Sequence, residues 1–585
     1  MAAEVGTAVG EEIEPPVPAE SGATAGTDTM RRPVALHRRA GANRSGGVVT
    51  FVTWLLVAAC VVVGAALRAW YLFHHPITSD EAIGGLMAQQ ALHGHFTAFY
   101  WGQSYGGVEP YLIALQYKVF GFTASLLGGV ATVLAIGSGL VTWRIARRLV
   151  SDGALAALAG AVAWAIPTSA MSSSTYEWGF RGVALLCGLL LLLLSLRVAD
   201  GHQRARDFVA LGLVAGLGWW SSPEIVYFVL PAVVLLVQSF RADLTAARGP
   251  RWVRLLLIGV AAACVGALPW LWANLRSGFA SFNQTAYADA PGYTERLRLF
   301  FHYSVGMLFS LRATGSGAWL LWRPLSVLLL IGFLGALAVA VVLCLRRGGR
   351  SLAIALGVLA FPLLVAYSPA SWFWQDGRYV GYVVPLFVLV LVFGCADLAR
   401  RLRPGRPERD AGTRTLARLL AGGLAIALVA LTVANFAVFG NPHQSFFANW
   451  GDPNRPTQDS VAKLESAGVR DGYADYWVAY RLDFLSGGKL QLTVVGTDPD
   501  RWAALNQKVA AGGPPAWIFV QPNATALGQF TGTPQIVGPA SISEAQFIAD
   551  LHRLGIGYRT VNAGLVHAVV PDRAVPLRSV GVAVG

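Results

Sequence analysis

The chain has 585 residues, 55% of them hydrophobic and only 13% charged. So few charges cannot cover the surface of a soluble protein of this size, which excludes the ordinary soluble classes and leaves a lipid-embedded one. A formal charge of +13 raises the question of nucleic acid, and the placement of the basic residues answers it below.

Residues 1–49 carry no apolar run and hold a basic cluster of Arg31, Arg32, Arg38, Arg39 and Arg44, which reads as a disordered cytoplasmic tail. The apolar run that follows is of full spanning length and starts too late for a cleavable signal, so it is expected to stay as an anchor. Apolar runs then recur at 50–73, 122–143, 153–169, 182–196, 208–220, 225–240, 255–272, 324–345, 352–367, 380–396 and 419–439. Several reach the ~20 residues that a spanning helix needs. The pair 208–220 and 225–240 is joined only by Ser221-Ser222-Pro223-Glu224, which predicts a helical hairpin turning at the far interface. Cys60, Cys187, Cys264, Cys344 and Cys395 all fall in apolar runs, where thiols act as small packing groups, so no disulfide is expected.

With the N-terminus inside, the cytoplasmic connections 1–49, 144–152, 197–207, 241–254, 346–351 and 397–418 hold 25 Lys and Arg. The opposite connections 74–121, 170–181, 221–224, 273–319 and 368–379 hold 7. This asymmetry is the positive-inside pattern and predicts about 11 transmembrane helices over 50–439, in a bacterial plasma membrane. The basic residues form one cluster per inner loop, with no aromatic interleaving and no groove-reading motif, so membrane lipid is their partner and nucleic acid is not. Residues 440–585 are polar and punctuated by Gly and Pro, with strand patterns at 489–495 and 516–520 and helix patterns at 498–511 and 543–554. They predict an extracytoplasmic α/β domain.

The first outer connection, 74–121, contains Ser79-Asp80-Glu81-Ala82 and, further on, Trp101-Gly102-Gln103-Ser104-Tyr105-Gly106-Gly107-Val108-Glu109. Two adjacent acids just beyond a spanning helix can take a proton from a hydroxyl or hold a divalent metal against a phosphate. They can equally start an interfacial helix, since Ser-Asp-Glu before an apolar stretch is a helix-capping sequence, and both roles can coexist. Arg378 and Tyr379 enter a late spanning helix, where a guanidinium at a desolvated interface binds phosphate strongly or else pairs with Asp376 and snorkels. Glu109, Glu177, Arg181 and His302 are substrate-site candidates, with Glu177 and Arg181 alternatively a helix-surface pair. Glu224, in a turn at membrane depth, should face a wet cavity. Tyr476 and Trp477 belong to an aromatic stretch that fits either a carbohydrate platform or a cover over the domain's membrane contact. His93 and His95 have ligand chemistry without a third ligand at a metal-binding spacing.

The order of a first spanning helix, an Asp-Glu pair in the first outer loop and an interfacial helix resembles the GT-C superfamily of polyprenyl-phosphate-sugar glycosyltransferases. Protein O-mannosyltransferases and the lipid A aminoarabinose transferase belong to it. Ser79-Asp80-Glu81-Ala82 with Trp101-Gly102-Gln103-Ser104-Tyr105-Gly106-Gly107 is similar to a large bacterial branch, and Arg378-Tyr379 is similar to the pattern in which the arginine meets the donor phosphate. The resemblance implies an inverting enzyme that uses a polyprenyl-phosphate-sugar donor and an envelope glycan, lipid or protein acceptor on the outer face. Asp80 would be the base and Glu81 its partner in orienting acceptor or metal, with Mg or Mn possible at that pair. Arg378 would clamp the phosphate. The Ala/Gly/Arg-rich composition resembles actinobacterial proteins, for which mannose is favoured over arabinofuranose. The rival readings are a transporter or flippase of lipid-linked sugars, whose repeated halves are not evident, and a non-catalytic assembly factor.

Overall fold

The computed structural model describes residues 34–244, 249–282, 290–406, 410–439, 452–496, 499–521 and 538–582. All eleven apolar runs fall on helices. Among the described residues, eight helices are long and apolar enough to cross a membrane: Gly47–His74, Ala124–Leu149, Arg181–Ala199, Pro223–Arg241, Arg323–Arg347, Gly349–Tyr367, Val380–Arg401 and Ala411–Phe439. A ninth is reached if Arg251–Gly266 and Leu268–Arg276, bent by 65° at their junction, count as one span. The sequence count of eleven also included Gly153–Ala165 and Ala205–Ser221, which have 13 and 17 residues. At 1.5 Å per residue they reach roughly 20 and 26 Å, short of the ~30 Å hydrocarbon layer. The chain is a multi-pass membrane protein whose middle is Val380–Arg401: 94% of its apolar window is buried, against 22% for Arg323–Arg347.

Small residues let two helices, Ala205–Ser221 and Gly249–Gly266, approach closely. A Cβ on Gly212 would stand 2.0 Å from the Gly259 carbonyl oxygen, and one on Gly216 would stand 2.0 Å from that of Ala263. The two backbones therefore touch, as in membrane helices whose interfaces carry glycines four residues apart.

The loops sort into two faces. On one, Arg350 pairs with Asp200 and donates to the Arg148 carbonyl (3.2 Å), Arg418 pairs with Asp152 (2.9 Å), and Arg251 donates to the Gln203 carbonyl (2.6 Å). Asp397 gathers Arg347, Arg400 and Arg401 there. These are the arginine-rich loops. On the other face, Ser281 donates to the Ser104 carbonyl (2.7 Å), Trp220 to that of Ala98 (2.6 Å), and Gly315 to that of Gln375.

The C-terminal domain carries a five-stranded sheet of β1 (Asp471–Tyr473), β2 (Gln491–Thr493), β3 (Ala516–Val520), β4 (Tyr558–Asn562) and β5 (Val566–Pro571), in the order β2-β1-β3-β5-β4. The three strands β2, β1 and β3 run parallel, with helix Tyr476–Leu485 in the β1–β2 crossover, while β5 joins β3 and β4 antiparallel. The expected helix at 543–554 is Glu544–Leu554, capped by Ser543, and the one at 498–511 is shorter, Ala503–Ala511. This domain is not a separate body. Residues Gly46–Gly585 form one compact unit, and the domain sits on the connection 74–121 and its flank. Phe484 packs against Phe122 (ring centroids 5.2 Å), Trp101 stacks on Trp502 (4.4 Å), and the Ile77 amide donates to Asn454 Oδ1 (2.9 Å).

Candidate active site

The helix Ser79–Leu92 starts at Thr78, whose extended backbone and hydroxyl make it the N-cap. Thr78 Oγ1 accepts from the Glu81 amide (3.2 Å), and Glu81 Oε2 accepts from the Thr78 amide (3.0 Å) and hydroxyl (3.1 Å), a reciprocal capping box. Glu81 Oε1 meets His75 Nε2 (2.9 Å) and the Glu177 amide (3.3 Å). His75 Nδ1 in turn meets the Tyr71 carbonyl. A ring with an acceptor on each nitrogen is satisfied only as the imidazolium. Burial alone would lower the pKa of His75, but the Glu81 carboxylate and the Tyr71 carbonyl outweigh it and raise the value above the ordinary 6.5.

This geometry corrects one expectation. Glu81 is 1% exposed and both its oxygens are filled by donors, so it neither orients an acceptor nor holds Mg or Mn. Among the described residues no three of His, Cys, Asp and Glu group as a metal site. The divalent-metal reading does not fit these residues, and His93 and His95 are both exposed. Asp80 is different. Its Oδ1 accepts from the Tyr476 hydroxyl, and among the described residues Oδ2 carries no hydrogen bond.

Behind the acid motif lies a cavity in the membrane domain, lined among others by Arg68, Glu109, Tyr176, Trp178, Arg181, Arg378 and Tyr382. Arg378 lines it, its guanidinium 4.9 Å from the Trp178 ring centre. The side chain of Asp376, offered as its alternative partner, lies outside the described residues. Tyr379 does not line the cavity: it is buried and its hydroxyl meets Ser368 (3.3 Å), while Tyr382, one helical turn on, lines the wall instead.

The alternative pairing of Arg181 with Glu177 is not among the ion pairs of the described residues. Arg181 lies 3.6 Å from Glu224, whose Oε2 also accepts from the Tyr382 hydroxyl. Glu224 does not itself line the cavity. It braces two residues that do.

Glu177 is fully buried, and its Oε1 accepts from the Gly179 amide (2.7 Å). Glu109 accepts from the Val183 amide (2.7 Å) and so caps the helix Arg181–Ala199. Burial, and then the neighbouring Glu109, push the pKa of Glu177 well above the ordinary carboxylate range, and burial also raises that of Glu109. Two desolvated acids this close do not both ionise. At least one of them keeps its proton beneath the segment that carries Tyr176 and Trp178.

His302 lies outside the cavity lining, exposed on the π-helical turn Phe300–Ser304; the neighbouring Tyr303 stacks on Trp374 at 3.6 Å. Tyr476 is 6% exposed and Trp477 half-buried, and Tyr476 faces the connection 74–121, where it meets Asp80.

One residue escaped sequence reading. Arg68 is 3% exposed within the first span, and donates to Ser174 Oγ (2.9 Å) and to the carbonyls of Trp164 (2.7 Å) and Gly64 (3.2 Å). No carboxylate among the described residues pairs with it. The signal was present as a single arginine in an apolar run, a costly placement that marks function.

Residues 107–272 match the family model described as dolichyl-phosphate-mannose-protein mannosyltransferase. The crystal structure of ArnT from Cupriavidus metallidurans in the apo state superposes with a TM-score of 0.55 at 14% identity, covering 89% of this chain and 99% of that one. ArnT from the same organism bound to undecaprenyl phosphate gives a TM-score of 0.53 at 14% identity over the same shares. No curated protein matches the sequence. The fold is that of the GT-C glycosyltransferases.

Proposed function

We propose that the protein is an inverting glycosyltransferase that moves a sugar from a polyprenyl-phosphate donor to an envelope glycan, lipid or protein on the outer face of the membrane. The observation that carries this reading is the gathering of Arg68, Arg181 and Arg378 around one cavity in the membrane domain. Glu224 holds one of the three, and the fork geometry of guanidinium groups on one desolvated wall suits a phosphate. The structural relative solved with undecaprenyl phosphate supports a lipid phosphate as that anion.

In this reading an acceptor hydroxyl gives its proton to Asp80 Oδ2 as its oxygen attacks the anomeric carbon. The bond from that carbon to the phosphate oxygen breaks on the opposite side, and the arginines stabilise the charge gathering on the departing lipid phosphate. Glu81 fixes the start of the helix that carries Asp80 and, through the Glu177 amide, ties it to the segment of Tyr176 and Trp178 at the cavity wall. No step runs through a metal. Mannose is the proposed sugar, supported by the family description over 107–272, with arabinofuranose the next choice. The arginine-rich face is the cytoplasmic one, and the opposite face, with the C-terminal domain, is extracytoplasmic.

Undecaprenyl phosphate titrated into the purified protein should raise its melting temperature. Arg378→Lys keeps the charge but loses bidentate contact, so it should weaken that binding by about tenfold. Undiminished binding in this variant would remove Arg378 from the phosphate site.

A further inference from the structure

We infer that the C-terminal domain completes the catalytic centre, with Tyr476 and Arg501 as positioning residues that hold Asp80 so that its second oxygen meets the acceptor hydroxyl. This rests on the reading of Asp80 as the base. Among the described residues the only hydrogen bond to the Asp80 side chain comes from Tyr476, 396 positions later in the chain. Nothing on the helix that carries Asp80 fixes its rotamer.

Tyr476 is itself fixed. Asp475 caps the helix Tyr476–Leu485 by accepting from the Trp477 amide (2.8 Å), which places the phenol at the first turn, pointed across the seam. Burial, followed by the Asp80 charge, pushes its pKa well above the ordinary phenol value, so it remains a donor. Arg501 backs it from the same domain. Its guanidinium lies 5.7 Å from the Tyr476 ring centre and donates to the Gly102 carbonyl (2.9 Å) in the first outer loop. Its backbone amide is held by the Tyr480 hydroxyl (2.8 Å). Gly102 admits it: φ there is +69°, and a Cβ would stand 2.4 Å from Arg501 Cδ. The stacked Trp101 and Trp502 flank this pair, one from each side of the seam. With Oδ1 taken, Oδ2 is the proton acceptor left, and the acceptor hydroxyl comes to the border between the first outer loop and the C-terminal domain.

The test uses full-length variants in a deletion strain, reading the rate at which each restores the envelope glycan that the deletion removes, alongside melting temperature and undecaprenyl phosphate binding of the purified proteins. Tyr476→Phe should lower the restoration rate by about tenfold, the size of one hydrogen bond to a charged group. Melting temperature and lipid binding should stay unchanged. Arg501→Met, which keeps bulk over Gly102, should fall likewise. Tyr476→Phe added to Asp80→Asn should cost nothing further, because the two act through one carboxylate. A wild-type rate in Tyr476→Phe, a loss that tracks a lower melting temperature, or an independent loss in the double variant would overturn the inference. A dead Asp80→Asn beside an unimpaired Tyr476→Phe rejects only this inference, whereas a fully active Asp80→Asn rejects the base assignment beneath it.

Discussion

Replacing Glu81 by Gln is nearly isosteric, yet the structure predicts a substantial cost. The carboxylate receives four hydrogen bonds: two on Oε2 from Thr78, and one each on Oε1 from His75 and the Glu177 amide. An amide has one oxygen and one NH2 group. If the oxygen keeps the Thr78 pair, the NH2 group can donate to His75 Nε2 once that ring is neutral, but it then faces the Glu177 amide, donor against donor. One buried N–H is orphaned, which costs about 1–3 kcal/mol. Neutralising His75 adds little near its ordinary pKa of 6.5, so the total stays in that range.

The pH dependence separates this account from simple loss of packing. Because the folded-state pKa of His75 is raised, the stability it contributes is complete below about pH 6.5 and is lost as pH rises through the folded value. The melting temperature of the detergent-solubilised wild type should therefore fall over that window, whereas in Glu81→Gln it should start lower and lose that fall. A variant with wild-type melting temperature, or one that keeps the wild-type slope, would refute the capping-pair assignment.

Orientation is checked by reporters: alkaline phosphatase fused after Gly440 should be active and one fused at Arg406 inactive, and the reverse pattern would invert the membrane topology. The seam between the first outer loop and the C-terminal domain is tested at Gly85, where a Cβ would stand 2.2 Å from Phe484 Cε2. Gly85→Ala should destabilise the protein by about 1–3 kcal/mol through overpacking against a ring that is 0% exposed. Combined with Phe484→Ala it should cost less than the two separate losses, because the new methyl enters the vacated space, and strict additivity in thermal unfolding would contradict the contact.

The membrane helices were legible because apolar runs have few alternatives in lipid, and basic residues divided the loops as the structure groups them. The count was less legible, since a 13-residue helix such as Gly153–Ala165 is apolar from being buried in protein and has the same composition as a span. At the site, Asp80, Glu81 and Arg378 were visible as charges at membrane edges. Their roles were not, because capping depends on which residue is extended: Thr78 takes that place, which makes Glu81 a structural acceptor and turns Asp80 outward. Partners distant in sequence were invisible for the same reason. Nothing local links Glu224 to Arg181, Glu177 to Glu109, or Tyr476 to Asp80. The C-terminal strands β1 and β4 were missed because β1 has only three residues and β4 is largely exposed, leaving little alternation to detect.

The most direct measurement of the central claim compares the envelope glycans of a deletion strain complemented with the wild type or with Asp80→Asn at equal membrane abundance. Asn keeps the size of the side chain and its hydrogen bond from Tyr476, and removes the ability to accept a proton. The account predicts that the wild type restores the missing glycan while Asp80→Asn falls short by about a hundredfold or more in rate, the scale of a lost general base. Full restoration by Asp80→Asn would contradict it.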